Sequence, residues 1–275
     1  MYTLNCKGKL LIIDKPIVMG IINATPDSFY KAHSPLGLEG IGLFANKMIK
    51  EGATILDIGG QSTRPGSERI SAVEEMNRVI PVIEYIKLQH PDIIISIDTY
   101  NAQVATAAVN AGASIVNDIS GGTMDAAMFD TVAKLKVPYI LMHIKGTPET
   151  MQQQTIYEDV IKEVLDFFIN KVDECKKAGI VDVIVDPGFG FGKTIAHNLK
   201  LLKHLDIFHM LDKPILAGLS RKSTVYKTLG ISVDDALNGT TVLNTIALMN
   251  GAAILRVHDV IEARQAIQLL EAYNK

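Results

Sequence analysis

Eight short apolar runs in this chain end in residues able to do chemistry. Asn23 closes the run 17–22, Asp57 closes 54–56 and Asp98 closes 93–97. Asn117 and Asp118 follow 113–116, His143 follows 139–142, and Asp186 follows 183–185. Ser220, Arg221 and Lys222 follow 215–219, and Arg256 and His258 follow 252–255. Asp98, Asn117 and Asp186 form the most specific set. Two carboxylates and an amide in a dry pocket suit a heterocycle with several N–H donors and one or two acceptors. Asp98 alone also reads as a helix N-cap. Recurrence of the pattern on two further runs favours a binding site.

The cations gather late in the chain. Arg221, Lys222 and Arg256, with the titratable His258, follow the seventh and eighth runs. Those two loops are a recurrent phosphate site in barrels of this type. Surface charge is the competing reading. Asn23 offers an amide oxygen, a hard ligand suited to Mg²⁺, although residues 23–29 alone also read as a capped turn. In residues 57–66, glycines bracket Ser62, Thr63 and Arg64, which can donate to phosphate or carboxylate oxygens. Residues 186–194 imitate a P-loop, but Pro187 stands where that motif needs glycine. The glycines there are expected to shape a loop that presents Phe191 to a flat substrate. His143 is open between a structural and a catalytic reading. His90, His197, His204 and His209 are assigned no role, and no Cys/His cluster supports a zinc site.

These residues need a scaffold that brings strand ends together. Strands buried on both faces read as continuous hydrophobic runs. In a (β/α)8 barrel the chemistry sits at their carboxyl ends. The 275 residues match one such barrel. Helical patterns follow the runs at 38–51, 72–89, 102–111, 126–135, 156–178, 196–205, 223–229 with 236–249, and 260–272. Glycines trail many of them, as at Gly52, Gly112, Gly179 and Gly251. Residues 2–13 read as a hairpin around Lys7 and Gly8. The expected fold class is therefore α/β: a single (β/α)8 TIM barrel over 15–275, with an N-terminal β-hairpin in 1–14. An open doubly wound sheet is the alternative, but it would cluster polar strand ends at one switch point.

Composition narrows the function classes. A net charge of −3 gives no global attraction to nucleic acid or an anionic membrane. No apolar run approaches the ~18–20 residues of a membrane span, and the N-terminus lacks a signal-peptide pattern. Cys6 and Cys175 are far apart and match no redox or metal motif, which suits a reducing cytoplasm.

Seven ordered motifs make the sequence similar to the dihydropteroate synthase family. They are Asn23-Ala24-Thr25-Pro26-Asp27-Ser28-Phe29, the segment 57–66, Ile97-Asp98-Thr99, Val116-Asn117-Asp118-Ile119, the segment 186–193, Ser220-Arg221-Lys222-Ser223 and Arg256-Val257-His258. The resemblance implies a homodimeric TIM barrel that joins 6-hydroxymethyl-7,8-dihydropterin diphosphate to 4-aminobenzoate in folate biosynthesis. It assigns the pterin to Asp98, Asn117, Asp186 and Lys222, with Ile119 and Met142 on its faces and Arg256 stacked on the ring. Asn23 holds diphosphate-bound Mg²⁺; Thr63, Arg64, Arg256, Val257 and His258 belong to the diphosphate side. Thr63, Pro65, Phe191, Lys222 and Ser223 shape the 4-aminobenzoate site. Asn23, Arg64, Lys222, Arg256 and His258 are the expected catalytic set. With no obvious nucleophile–base pair, the expected reaction is a dissociative, SN1-like substitution.

One departure stands out. The family commonly carries Ser-Asp-Gly-Gly where this chain has Tyr30-Lys31-Ala32-His33. Two rivals share the pterin set: a pterin-binding methyltransferase and a non-catalytic pterin-binding paralogue.

Overall fold

Ten strands and nine α-helices are found among the described residues of the computed structural model, which describes residues 1–24, 37–62 and 69–275. Strands β1 (Tyr2–Cys6) and β2 (Lys9–Ile13) form an antiparallel hairpin through Lys7 and Gly8. The repeating units then follow: β3 (Ile17–Asn23), α1 (Leu38–Glu51), β4 (Ile55–Gly59), α2 (Ala72–Gln89), β5 (Ile94–Asp98), α3 (Ala102–Ala111), β6 (Ile115–Asp118) and α4 (Met128–Leu135). Next come β7 (Tyr139–Met142), α5 (Val160–Ala178), β8 (Val183–Asp186), α6 (Ile195–Lys203), β9 (Leu216–Ala217), α7 (Ser223–Leu229), α8 (Leu237–Met249), β10 (Ile254–Val257) and α9 (Val260–Tyr273). Eight parallel strands run β8-β7-β6-β5-β4-β3-β10-β9. A parallel bridge between Val185 and Ile215 joins the two ends of that order. The expected TIM barrel and its hairpin are both present.

Helices α1, α2, α3 and α7 span the expected residues. Helix α5 starts at Val160, not at 156, because Asp159 caps it by accepting a hydrogen bond from Ile161 N at 3.0 Å. No described helix is long and apolar enough to cross a membrane.

The core has three parts. An outer layer fills the space between strands and helices and includes Leu56, Ile58, Ile97, Val116 and Val257. An inner layer joins Met19, Ile55, Ile94, Ile115, Ile140, Ile184, Leu216 and Ile254 to Leu4, Cys6, Leu11 and Ile13 of the hairpin. The hairpin therefore plugs the floor of the barrel. Asn5 N donates to Asp182 Oδ2 at 2.7 Å and Lys7 Nζ to Val109 O at 2.6 Å, which ties the plug to the barrel wall. Each fully buried aliphatic side chain contributes roughly 1.5–3 kcal/mol. A third, smaller cluster at the opposite end comprises Tyr100, Ile119, Met142, Ile144 and Met151, with Met124 and Phe191 against it.

Candidate active site

Successive strand side chains point to opposite faces. The inner layer therefore decides which strand-end residues enter the mouth. Two residues beyond Ile55, Ile115, Ile140, Ile184 and Ile254 lie Asp57, Asn117, Met142, Asp186 and Arg256. Four residues beyond Ile94 and Met19 lie Asp98 and Asn23. Gly218 follows Leu216 at the same parity, and its missing side chain leaves space beside Lys222 Nζ and Asp186 Oδ2.

An ionic network crosses the mouth. Arg256 Nε donates to Asp57 Oδ2 and Nη2 to Asp98 Oδ2, each at 2.6 Å. Asn117 Nδ2 donates to the same Asp57 oxygen at 3.0 Å. Asp57 is fully buried, and its Oδ1 has no hydrogen-bond partner among the described residues. Burial pulls the Arg256 pKa down, but Asp57 and Asp98 outweigh it and hold the guanidinium charged. Burial raises the Asp98 carboxyl pKa against the pull of Arg256. It raises Asp186 too, with Lys222 pulling the other way. The reading of Asp98 as a helix cap fails: Asn101 caps α3, accepting from Gln103 N at 2.9 Å.

Lys222 faces Asp186 from the seventh barrel strand's loop. Its Nζ donates to Phe189 O at 2.5 Å and lies 4.8 Å from the Phe191 ring centroid. Burial lowers its pKa to about 8, and Arg256 adds to the effect, while Asp186 opposes it. Ser223 is the first residue of α7, directly after Lys222. His258 is exposed at the rim, with Nδ1 3.0 Å from Ser220 Oγ. Desolvation of its protein-facing edge, then Arg256, push its pKa down. Asn23 is exposed at the end of β3. Ile119 and Met142 belong to the apolar cluster, and Phe191 packs against it.

Four strand-end residues turn away from the mouth. Val257 is buried in the outer layer, so only its backbone is available to a ligand. Asp118 accepts from Tyr139 Oη at 2.7 Å and from Ser120 N at 2.7 Å, a structural role. Arg221 pairs with both carboxylate oxygens of Asp259 at 2.9 Å and braces that loop, so the cation set narrows to Lys222 and Arg256, beside a His258 whose pKa is pushed down. His143 is buried, with Nδ1 2.9 Å from Lys193 Nζ and its ring edge-on to Phe167. Thr63, Arg64 and Pro65 lie outside the described residues, as does the first loop with Lys31.

Asp57 is the mouth residue without a role in the sequence-based assignment. Its signal is parity, since it stands two residues from the inward Ile55.

A parallel barrel with this acid–amide–guanidinium mouth is built to grip a flat, polar heterocycle. The family model described as "Pterin binding enzyme" matches residues 19–258. The dihydropteroate synthase of Escherichia coli (strain K12) is 42% identical over 268 residues, spanning 97% of this chain and 94% of its own length. A solved Xanthomonas albilineans dihydropteroate synthase with 4-aminobenzoic acid has a TM-score of 0.93 and 39% identity, covering 99% of this chain and 98% of that one. The same organism's enzyme in complex with 7,8-dihydropteroate gives a TM-score of 0.90 at 37% identity, covering 99% of each chain. The chain belongs to the dihydropteroate synthase family of pterin-binding enzymes.

Proposed function

We infer that the barrel mouth joins 6-hydroxymethyl-7,8-dihydropterin diphosphate to 4-aminobenzoate, releasing 7,8-dihydropteroate and diphosphate. The observation that carries this reading is the hydrogen-bonded set of buried Asp57 and Asn117 with partly buried Asp98 and Arg256, seated at matched parity on four strands. Asp98, Asn117, Asp186 and Lys222 hold the pterin edge. Ile119 and Met142 cover its faces, and Arg256 lies against the ring. Phe191, Lys222 and Ser223 form the 4-aminobenzoate side, with Thr63 and Pro65 completing it. His258, Arg256, Arg64 and the Val257 backbone serve the diphosphate.

Asn23 is suited to Mg²⁺ carried by the diphosphate. Its amide oxygen ends an inward-facing strand at the open mouth. Among the described residues no group of three or more His, Cys, Asp and Glu forms a dedicated cage. Mg²⁺ commonly binds through one or two protein oxygens plus substrate phosphates. When bound, the ion supplies charge stabilisation to the leaving group.

The chain's own residues do the rest. The C–O bond to diphosphate breaks with its electron pair leaving on oxygen, where Arg256 and His258 face it. Asp98 and Asp186 favour the positive charge left on the pterin methylene. The amine lone pair then forms the C–N bond, and its proton is released. This is a dissociative, SN1-like order. Isotope effects that place C–N bond formation well advanced in the rate-limiting step overturn it.

The active form is a homodimer. Val242, Ile246 and Met249 are exposed at i, i+4 and i+7 on α8, an apolar stripe that a second copy can cover. A reducing, cytoplasmic setting suits Cys6 and Cys175, which are free and buried in separate clusters. The decisive assay is diphosphate release that depends on both 4-aminobenzoate and Mg²⁺. Pterin binding without turnover would instead make the chain a non-catalytic paralogue.

A further inference from the structure

We propose that Lys193 is a positioning residue for the aryl-amine half of the site, acting through His143 and the glycine-rich loop 187–192. The proposal rests on the reaction inferred above.

Lys193 is 4% exposed, and burial pushes its pKa well below the ordinary lysine value, with Asp186 opposing and Lys222 adding to the effect. Its Nζ lies 2.9 Å from His143 Nδ1, 3.2 Å from His143 O, 3.0 Å from Gly188 O and 3.0 Å from Phe191 O. No carboxylate forms a salt bridge with it among the described residues. Taking a charge out of water costs several kcal/mol. Such a group is weak as a source of stability, but three carbonyl acceptors and one imidazole nitrogen converging on one atom define one arrangement of the chain.

That arrangement needs defining. Gly188 and Gly192 both have positive φ, at 69° and 62°. A Cβ at Gly188 would collide with His143 O, and one at Gly192 would meet Lys145 O at 2.7 Å. The backbone must therefore pass close to the end of β7 in a conformation that glycine alone adopts easily. Glycine leaves the unfolded loop many alternatives. Lys193 Nζ selects one by joining Gly188 O and Phe191 O of the loop to His143 O.

The loop in turn builds the aryl-amine subsite. Phe189 O receives Lys222 Nζ, and the Phe191 ring stands beneath that ammonium. The residue order Gly188, Phe189, Phe191 alternates anchor points to Lys193 with contact points to Lys222. Asp98, Asn117, Met142 and Arg256, on the pterin side, stand on or at the end of strands outside the loop; of the pterin set only Asp186, which accepts from Gly188 N at 2.8 Å, and the shared Lys222 touch it. Losing the anchor should therefore disturb the two substrates unequally.

Lys193→Met keeps the unbranched stem of the side chain, one atom shorter, and removes its donors. The expected result is a KM for 4-aminobenzoate raised about tenfold or more, since a 1 Å misplacement alone can cost 10²-fold in rate. The Kd for pterin diphosphate should stay within about threefold. Hydrogen exchange at the amides of residues 188–191 should speed up. Two unchanged constants overturn the proposal, as does an equal rise in both, which marks a merely structural lysine. If Lys193→Met does not fold, His143→Asn and His143→Ala carry the test. Asn can place its amide oxygen near the position of Nδ1, so it should retain more 4-aminobenzoate affinity than Ala; equal losses overturn the proposal. Failure of the wild type to release diphosphate with 4-aminobenzoate sinks the inferred reaction together with this proposal. Wild-type turnover with unaltered variants sinks this proposal alone.

Discussion

Asp57 and Arg256 meet at 2.6 Å across the barrel mouth although 199 residues separate them in sequence. They stand on β4 and β10, the two neighbours of β3. The same Asp57 oxygen accepts from Asn117 Nδ2, so one carboxylate orients both a cation and an amide donor of the proposed pterin site. Asp57→Asn keeps the shape but places a donor where two donors already point. The expected loss of stability is about 1–3 kcal/mol, the range for leaving a buried partner unsatisfied, because Asp98 still holds Arg256. The Kd for pterin diphosphate should rise at least tenfold. Calorimetric titration and thermal unfolding read the two effects separately. An unaltered Kd would show that Arg256 keeps its aim without Asp57.

The fold was legible because eight apolar runs recur with helices between them, and the polar residue after each run marked a strand end. Which polar ends enter the mouth was not legible from the runs themselves. Strands buried on both faces hide their alternation. Asp57 and Asp118 look alike in sequence, yet one faces Arg256 and the other faces Tyr139. Counting in twos from the floor layer at Ile55 and Ile115 separates them: Asp57 keeps that parity and Asp118 breaks it. Lys193 lay beyond such counting, since most of its acceptors are backbone carbonyls contributed partly by the end of another strand. Arg221 was misleading for a different reason. Its partner, Asp259, lies just past the eighth barrel strand, and only the closed barrel brings the two together.

Lys222 should set the alkaline limit of activity. Burial lowers its pKa from the ordinary 10.5 to about 8. A lysine with a depressed pKa is charged below that value and loses its proton as pH rises through it. Only the charged form offers all three donors to the pterin and to Phe189 O. The kcat/KM for pterin diphosphate should therefore fall as pH passes about 8, well before an exposed lysine would titrate. Lys222→Ala should weaken both substrates and abolish that limb. A profile that stays flat to pH 10 would place the lysine outside the binding step.

Ser223 offers a sharper separation of the two substrates. It opens α7 directly after Lys222, where its hydroxyl and the first backbone amides of the helix are available to a carboxylate. Ser223→Ala removes one donor and leaves the pterin contacts on β5, β6 and β8 untouched. The expected outcome is a KM for 4-aminobenzoate raised roughly five- to tenfold, as for a hydrogen bond worth about 1–1.5 kcal/mol. The KM for pterin diphosphate should remain within twofold. Equal changes in both constants would contradict the assignment of Ser223 to the aryl-amine side.

The apolar stripe of α8 makes the assembly testable without an activity assay. Val242, Ile246 and Met249 lie on one helical face and remain exposed, while Thr240, Asn244 and Ala247 of the same helix are buried. Residues three and four apart on a helix share a face, so the exposed three form one continuous strip. Burying it against its symmetry mate would remove apolar surface from water on both copies, and a two-fold interface counts each residue twice. Ile246→Lys then sets two charges into the joint. Light scattering after size exclusion should give twice the chain mass for the wild type and the single-chain mass for Ile246→Lys at micromolar concentration. Circular dichroism of the variant should match the wild type, because the position does not contribute to the buried core. A dimer that persists in Ile246→Lys would move the interface to another face of the barrel.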